Sequence, residues 1–395
     1  MSTDNTIRIL FIGTASPPDL WMKSSAFSAA ANNFQIGLAK GLLKAGVRDI
    51  EFISLLPVPA FPRGPIGVSS RRYVLCDRIK ALAPGFLNLP FLKWMSILLS
   101  FMKIVFSKTK TESYDVILVY NPLVSYLAPV LWAGKLRGIP VVLILADISP
   151  NNWLQRSLLQ KCDGVIALSK QALMDLGKGI HGMCLEGGID VSRWEDVHQS
   201  DEIVEDQCLI VYTGSLNRYG GVDLLLDAFK LLKGDYRLVI SGRGEWEEKV
   251  RAAVAQDDRI AYVGFLSDNE YRALLRRATV LINPRPSNIP ENKYNFPSKL
   301  LEYLASGRPV ISTATAHIAE EYGDKVFLLR EETPQALARL IEQVCSLSEE
   351  ERKIIGQRGR EYVIKFKNWD IQGQRAYQFL VKIVEKSQRS SYLND

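Results

Sequence analysis

The sequence predicts an α/β protein built from two Rossmann-like, doubly wound domains that face each other across a cleft. Short apolar runs alternate with helical patterns from one end of the chain to the other, which is typical of βαβ units and parallel sheets. One polar stretch, residues 189–206, interrupts this alternation with eight charges, as linkers do. The length of 395 residues also suits two domains of ordinary size.

The predicted domains cover residues 1–190 and 207–370, and a last helical stretch in residues 371–395 has no strand after it. In the first domain the strands are predicted at 8–12, 50–54, 116–120, 141–146 and 164–168. A helix is predicted over Ala29–Lys44, because Phe34, Leu38 and Leu42 recur at helical spacing. In the second domain the strands are predicted at 209–213, 237–241, 260–263, 280–283, 309–312 and 326–329.

The composition, 47% hydrophobic and 23% charged, excludes disordered, collagen-like and coiled-coil proteins. Five cysteines lie far apart without a CxxC pair, so free thiols in a reducing cytoplasm are expected. All three histidines follow position 180, which leaves little material for a His/Cys metal site, and none is predicted. The first residues do not resemble a secretory signal, and no apolar run approaches the ~18 residues of a spanning helix.

The charge is distributed unevenly between the two halves. Residues 1–190 hold 20 Lys and Arg against 12 Asp and Glu, which gives +8. Residues 191–395 hold 29 against 31, which gives −2 and completes the net charge of +6. The basic half favours an anionic partner, either nucleic acid or membrane phospholipid. A solvated basic surface without a partner is the alternative.

Residues 91–106, FLKWMSILLSFMKIVF, predict an amphipathic helix with a narrow polar stripe at Lys93, Ser96, Ser100 and Lys103. Such a helix suits the bilayer interface, because its wide apolar face is aromatic and its margin is basic. This favours a membrane over nucleic acid. Packing in the core of the first domain is the alternative. The residues predicted to contact the membrane are Phe91, Trp94, Phe101 and Phe106.

Two glycine-rich turns follow the first two strands of the second domain. Gly214, Gly220 and Gly221 would let the backbone approach a phosphate at the start of the next helix. Gly242 lies in the second turn, at the same sheet edge, where doubly wound sheets bind ligands. Tight packing between strand and helix is the alternative explanation. The turns lack the GxGxxG spacing, which counts against NAD.

Residues 282–312, INPRPSNIPENKYNFPSKLLEYLASGRPVIS, carry the strongest site pattern. A proline and a glycine predict the start and the end of a helix over 298–306. Ser298 and Lys299 lie at its start, and Glu302 lies one turn further on the same side as Ser298. Diphosphate at the helix start and ribose hydroxyls on Glu302 would explain this pattern, with Arg285 in the preceding loop. A solvated surface helix is the alternative.

The stretch PSKLLEYLASGRPVIS resembles the C-terminal signature of retaining glycosyltransferases of family 4, which have the GT-B fold. Other stretches resemble the family in the same order over nearly the whole chain: YDVILVYNP, CDGVIALS, LEGGID, YTGSLNRYGGVDLLLDAF, ISGRGEWEE, RIAYVGFLSDNEYRALLRRATVLINP and KFKNWD. The resemblance implies an acceptor-binding N-terminal domain and a nucleotide-sugar-binding C-terminal domain. It also implies a closing helix, residues 371–395, that returns to the N-terminal domain.

For the donor site, the resemblance implies that Glu302 holds the nucleotide ribose, as the second acid of the family's E-x7-E pattern. The first acid would fall at Tyr294 and is missing. Asn295, Phe296 and Ser298 would line the sugar and diphosphate region instead. The other donor-binding residues are expected in the two glycine turns: Gly214, Ser215, Asn217 and Gly242.

The resemblance also implies an Arg and a Lys that clamp the diphosphate, but the matching positions are Ser215 and Gly220. We therefore expect Arg218 and Lys299, together with Arg285, to stabilise the negative charge of the leaving diphosphate. Because no Asp-x-Asp stands at a strand end, the prediction includes no metal and no other cofactor.

On the acceptor side, the family often has a histidine, whereas this chain has none before His181. Asp147 occupies that region and would either act on the acceptor or cap the following turn. A front-face mechanism, in which the leaving phosphate takes the acceptor proton, needs no such base. Asn32 and Asn33 are the predicted acceptor-binding residues.

The sequence thus predicts a cytoplasmic glycosyltransferase that is peripheral on the inner face of the cell membrane. It would transfer a hexose, with retention, from a nucleotide diphosphate sugar to a polyprenyl-linked saccharide for exopolysaccharide, capsule or O-antigen. Its predicted partners are the donor, the acceptor and the membrane surface, not nucleic acid. A GT-B nucleotide-sugar epimerase and a non-catalytic nucleotide-sugar binding protein are the alternatives.

Overall fold

The computed structural model describes residues 6–17, 28–76, 79–146, 153–177, 179–198 and 207–392. The chain divides into two compact units, of which the first comprises Met1–Gly187 with Trp369–Asp395 and the second comprises Gly188–Asn368. Within the predicted linker, Val191–His198 form a 3-10 helix of the second unit, and residues 199–206 lie outside the described part of the chain.

The first unit contains these elements in chain order: β1 (Arg8–Gly13), α1 (Ala29–Lys44), β2 (Asp49–Ser54), β3 (Gly67–Val68), β4 (Arg71–Cys76), β5 (Ile79–Ala83), β6 (Phe86–Leu87), α2 (Leu92–Thr111), β7 (Val116–Tyr120), α3 (Val124–Arg137), β8 (Val141–Leu145), α4 (Trp153–Leu159), β9 (Gly164–Ala167), α5 (Lys170–Asp175) and β10 (Gly182–Cys184). Helix α1 begins after Ser28, whose side chain accepts a hydrogen bond from the amide of Ala31.

The sheet of the first unit has the strand order β10-β9-β8-β7-β1-β2-β5-β4, and every pair is parallel except β4 with β5. Strands β7 (VILVY) and β8 (VVLIL) are buried along their whole length, because helices cover both faces of a doubly wound sheet. Strands β3 and β6 form a separate antiparallel ribbon. The winding direction reverses between β1 and β7.

The second unit contains these elements in chain order: β11 (Cys208–Ser215), α6 (Val222–Phe229), β12 (Tyr236–Arg243), α7 (Glu247–Gln256), β13 (Ile260–Tyr262), α8 (Asp268–Arg277), β14 (Val280–Asn283), α9 (Pro290–Tyr294), α10 (Lys299–Ala305), β15 (Val310–Thr313), α11 (Ile318–Tyr322), β16 (Phe327–Leu329), α12 (Pro334–Ser346) and α13 (Glu349–Phe366). Its sheet is parallel throughout, in the order β13-β12-β11-β14-β15-β16. This is the order of a Rossmann sheet, so the predicted α/β, doubly wound class is confirmed.

Helix α14 (Trp369–Tyr392) belongs to the first unit and packs along α1. The two helices approach so closely that a Cβ atom added to Gly373 would lie 2.1 Å from the carbonyl carbon of Gly41. The Trp369 ring meets Phe34 edge-on, with ring centres 5.5 Å apart. A side chain at either glycine would push the helices apart, so this packing explains why both positions are glycine.

Cys208 and Cys345 form a disulfide between the start of β11 and the end of α12, with Cα atoms 6.0 Å apart. The expectation of free thiols is therefore wrong for this pair. The two cysteines are 137 residues apart in sequence, and only the packing of α12 against the sheet brings them together. Among the described residues, Cys76, Cys162 and Cys184 form no disulfide.

Candidate active site

The second unit has its topological switch point between β11 and β14, whose residues Ile210 and Val280 pair directly. The connections that follow these two strands therefore start side by side. In doubly wound sheets, ligands bind at this carboxyl edge of the switch point. Most of the predicted donor-site residues lie at the end of β11, on these two connections and on helix α10, and Gly242 lies at the end of the neighbouring strand β12.

Close backbone contacts explain several of the glycines at this edge. Gly221 has a φ of +74°, and a Cβ atom there would lie 1.9 Å from the carbonyl oxygen of Pro284. Gly242 has a φ of +146°, and its Cβ would lie 1.8 Å from the oxygen of Gly214. Tight packing therefore accounts for these two positions. At Gly214 the nearest atom to an added Cβ would be Nζ of Lys299, at 2.9 Å, so the missing side chain makes room for a cation.

Helix α10 is attached to the end of β11 by hydrogen bonds with Thr213. The Tyr303 hydroxyl accepts from the Thr213 amide at 2.8 Å and donates to the Thr213 carbonyl at 3.1 Å. Nζ of Lys299 donates to the same carbonyl at 3.0 Å and lies 4.2 Å from the centre of the Tyr212 ring. These contacts fix the ammonium group at the carboxyl end of the strand.

The Lys299 ammonium is held in a setting that disfavours its charge. Burial, helped by the positive charge of Arg285, lowers the pKa of Lys299 to about 7. The Arg285 guanidinium donates to Oδ1 of Asn292 at 2.5 Å, and Asn292 in turn donates to the carbonyl oxygens of Tyr219 and Pro286. Asn292, which sequence reasoning missed, is fully buried and joins the loop after β14 to the first glycine turn.

The Glu302 carboxylate, one turn along α10, accepts a hydrogen bond from the Tyr271 hydroxyl at 2.7 Å. Burial raises the pKa of Glu302, while this hydrogen bond and the positive charge of Arg193 lower it. Burial and the neighbouring carboxylate raise the pKa of Tyr271 well above its usual value, so the phenol stays protonated. Tyr271 on α8 was not predicted as a site residue, because the sequence around it contains no motif that indicates a binding site.

The first glycine turn uses the predicted Asn217 for its own structure. Oδ1 of Asn217 accepts from the amides of Tyr219 and Gly220, at 3.0 and 3.2 Å, which is an Asx-type turn. Arg218 is exposed; it donates to the Tyr219 hydroxyl at 2.6 Å and pairs with Glu291 at 3.6 Å. Ser215 is exposed at the end of β11.

The three residues predicted to line the sugar region lie just before α10 and differ in their exposure. Ser298 is exposed, and Asn295 is half-buried. Phe296 is buried, and its ring packs on His317 at 5.2 Å and on Tyr322 at 5.6 Å. Phe296 therefore belongs to an aromatic cluster inside the second unit, and its predicted place in the lining of the sugar and diphosphate region stays a prediction.

Residues 194–362, which include both glycine turns, Tyr271 and helix α10, match the family described as glycosyl transferases group 1. The matched residues lie within the second unit, Gly188–Asn368. The predicted resemblance is thereby confirmed at this level, and membership of family 4 stays a prediction.

Relatives of the chain include proteins named for polysaccharide synthesis. The chain is 28% identical over 184 residues to the putative colanic acid biosynthesis glycosyltransferase WcaL of Salmonella typhimurium, covering 45% of each chain. It is 27% identical over 140 residues to the amylovoran biosynthesis glycosyltransferase AmsK of Erwinia amylovora, covering 33% of this chain and 34% of the relative. The matched part thus spans less than half the length of these relatives.

Solved structures resemble nearly the whole chain. A sucrose-phosphate synthase from Thermosynechococcus elongatus superimposes with a TM-score of 0.72 at 17% identity, covering 96% of this chain and all of that one. Anabaena HepE in complex with UDP gives 0.67 at 16% identity, covering 95% and 100%. At this identity the likeness shows the fold, which is GT-B as predicted.

In the first unit, the predicted acceptor residues Asn32 and Asn33 lie in different environments. Asn32 is buried, and its Oδ1 accepts from the amide of Ser16 at 2.8 Å. Gln35 lies one turn further along α1, and its Oε1 accepts from the amide of Thr14 at 2.9 Å. Both side chains therefore fix the loop after β1. This gives Asn32 a structural role instead of the predicted acceptor contact. Asn33 is exposed, and Asp147 lies outside the described residues.

Helix α2 presents apolar residues on two faces, which corrects the predicted membrane contact of Phe101 and leaves those of Phe91, Trp94 and Phe106 as predictions. Phe101 is fully buried, because Ile97, Phe101 and Val105 recur at helical spacing and face the core. Phe106 is half-buried against the Trp132 ring of α3, with centres 5.1 Å apart. Phe91 and Trp94 are exposed. Among the described helices, none combines the length and the apolar character needed to cross a bilayer.

Proposed function

We propose that the chain is a retaining glycosyltransferase that moves a hexose from a nucleotide diphosphate sugar to a polyprenyl-linked saccharide in surface polysaccharide biosynthesis. One observation carries the proposal: Lys299 and Glu302 project from one helix at the switch-point edge of a group 1 domain. The names of the colanic acid and amylovoran relatives support the polysaccharide part.

The two charged side chains fit the two polar parts of such a donor. The Glu302 carboxylate accepts hydrogen bonds from the ribose hydroxyls, since a carboxylate is an acceptor only. Lys299, with Arg285 close enough to shift its pKa, provides positive charge for the diphosphate beside Gly214. Exposed Arg218 adds a further cation in the first glycine turn. UDP is the first nucleotide to test, because HepE was solved with it.

The transfer step then needs few side chains. The acceptor hydroxyl oxygen forms a bond to the anomeric carbon on the face from which the diphosphate leaves. The bond from that carbon to the diphosphate breaks, and a phosphate oxygen of the leaving group takes the hydroxyl proton. Fixed cations stabilise the charge that develops on the diphosphate. The proposal includes no metal, so chelation by EDTA is expected to leave the rate unchanged.

The lipid-linked acceptor is supported by an apolar surface on the first unit, which we call the docking face. It consists of exposed side chains at the start of α2 and on α3: Phe91, Leu92, Trp94, Met95, Leu99, Trp132 and Leu136. The ring contact between Phe106 and Trp132 connects the two helices. Phe91 is 97% exposed at a φ of +62°, a conformation that non-glycine residues seldom adopt.

The charge around the docking face suits an anionic bilayer. Helices α2 and α3 together contain six Lys and Arg and no Asp or Glu. Lys93 and Lys108 bond inside the unit, to the Val58 carbonyl and to Glu51. The remaining four are Lys103, Lys110, Lys135 and Arg137, all exposed. Apolar side chains with a cationic margin bind the headgroup region of anionic membranes. This charge supports the proposal that the protein is peripheral on the inner face of the cell membrane.

The function is tested with radiolabelled UDP-glucose, UDP-galactose, GDP-mannose and ADP-glucose, each mixed with a membrane extract of the organism that encodes the chain. The proposal predicts that one donor labels the lipid fraction and that the new linkage keeps the donor's anomeric configuration. Folded wild-type protein that labels no lipid from any donor would overturn it. Conversion of a nucleotide sugar without acceptor would instead identify an epimerase.

A further inference from the structure

We propose that Tyr271 is a positioning residue for the donor site: it holds one oxygen of Glu302 so that the other oxygen meets the ribose hydroxyls. This inference rests on the proposed function, and it adds a residue from a different helix to the donor site. It begins from the hydrogen bond between the Tyr271 hydroxyl and Oε2 of Glu302, 2.7 Å long.

The helix that carries Tyr271 is firmly anchored. Helix α8 starts with a capping box, in which Ser267 and Glu270 satisfy each other's backbone amides. Arg193 of the 3-10 helix forms an ion pair with Asp268. Arg272 donates to the Arg193 carbonyl at 2.6 Å. The residues on both sides of Tyr271 are thus fixed, and its ring is directed at α10 from a rigid support.

The Glu302 carboxylate depends on this contact. Among the hydrogen bonds between described residues, the one to the side-chain carboxylate of Glu302 comes from Tyr271. A carboxylate bonded at one oxygen loses rotational freedom and presents its second oxygen in a defined direction. The phenol also donates to the charged form, and so it opposes the rise in the pKa of Glu302 that burial causes.

Tyr271→Phe removes the hydroxyl and keeps the ring. Calorimetry uses whichever of UDP, GDP and ADP the wild type binds most tightly, together with the 2′,3′-dideoxy form of the same nucleotide. We expect Tyr271→Phe to weaken binding of the ribonucleotide about tenfold, as for one hydrogen bond to a charged group. Binding of the dideoxy nucleotide is expected to stay unchanged. The loss is expected to be larger at about pH 5.5 than at about pH 8, because the variant's Glu302 protonates more readily.

Tyr236→Phe is the matched control, since Tyr236 begins β12 at the opposite end of the strands and makes no hydroxyl contact among the described hydrogen bonds. Equal losses for both nucleotides in Tyr271→Phe would reduce Tyr271 to a structural role and overturn the inference. Unchanged affinity in Tyr271→Phe overturns the inference alone. A wild type that binds none of the three nucleotides overturns the proposed donor site and the inference with it.

Discussion

The ammonium group of Lys299 donates a hydrogen bond to the carbonyl oxygen of Thr213 at 3.0 Å. Helix α10 is thereby joined by its first residue to the end of β11. The cation is in position before any ligand arrives, and a lowered pKa accompanies that position. The behaviour of the donor site with pH follows from this arrangement.

Donor affinity is predicted to fall as the pH rises through about 7, the pKa of Lys299 in the folded protein. The protonated ammonium attracts the diphosphate, and the neutral amine that dominates above this pH does not. Calorimetric titration with UDP across this range measures the effect. Lys299→Met is the control, because titration of the nucleotide itself persists in that variant. A pH dependence equal in both proteins would contradict the role of Lys299.

Tyr303→Phe is predicted to destabilise the second unit by about 1–3 kcal/mol, because it removes the buried partner of Thr213. The Thr213 amide would be left without its hydrogen bond. Thermal unfolding compares this variant with Tyr236→Phe, whose hydroxyl has no such contact among the described hydrogen bonds. Equal midpoints in the two variants would show that the contact contributes nothing.

The docking face is predicted to bind vesicles that contain anionic phospholipid. Replacing Trp94 and Leu99 by Glu should weaken binding about tenfold or more, because two exposed apolar side chains can no longer enter the interface. Cosedimentation measures this, with Ile354→Glu, an exposed apolar position of the second unit, as the matched control. An equal loss of vesicle binding in the two variants would contradict a role of the docking face in membrane binding.

Phe101→Ala separates the two faces of helix α2. Because Phe101 is fully buried, this change is predicted to lower the stability of the first unit by about 3–5 kcal/mol. Vesicle binding by the folded fraction should not change. A stable variant with lost vesicle binding would show that Phe101 faces the membrane after all.

Acid is predicted to destabilise the first unit through Glu112. Hydrogen bonds from Lys108 and Arg8, at 2.7 and 2.6 Å, lower the pKa of Glu112 from 4.5 to about 2. This contribution to stability is present above pH 4.5 and is lost as the pH falls through about 2. Urea unfolding at several pH values should show that the free energy of unfolding falls less steeply with decreasing pH in Glu112→Gln than in the wild type. An equally steep fall of the free energy of unfolding in both proteins would contradict the prediction.

Most strands of the two large sheets could be predicted because buried parallel strands are continuous apolar runs, but β5 and β10 were missed. Strand β14 lies at the predicted residues, and β7 does as well. The antiparallel edge strand β4 was missed, since it carries two arginines and leaves Val74 exposed. An edge strand has no apolar run to mark it.

The candidate site was predictable where the chemistry is local in sequence. Lys299 and Glu302 belong to one helical turn, so their spacing revealed them. Tyr271 is 31 residues from its partner Glu302, and only the fold brings the two together. Phe101 was assigned to the wrong face because both the core and the solvent face of α2 are apolar, and periodicity cannot separate two apolar faces.

The rate of sugar transfer by Glu302→Ala tests most directly whether Glu302 holds the donor. With the donor that wild type uses, the label in the lipid fraction is measured for the wild type, for Glu302→Ala and for Glu342→Ala, an exposed glutamate on α12. We predict that Glu302→Ala loses nearly all transfer and that Glu342→Ala keeps the wild-type rate. Transfer at the wild-type rate by a folded Glu302→Ala protein would contradict this prediction.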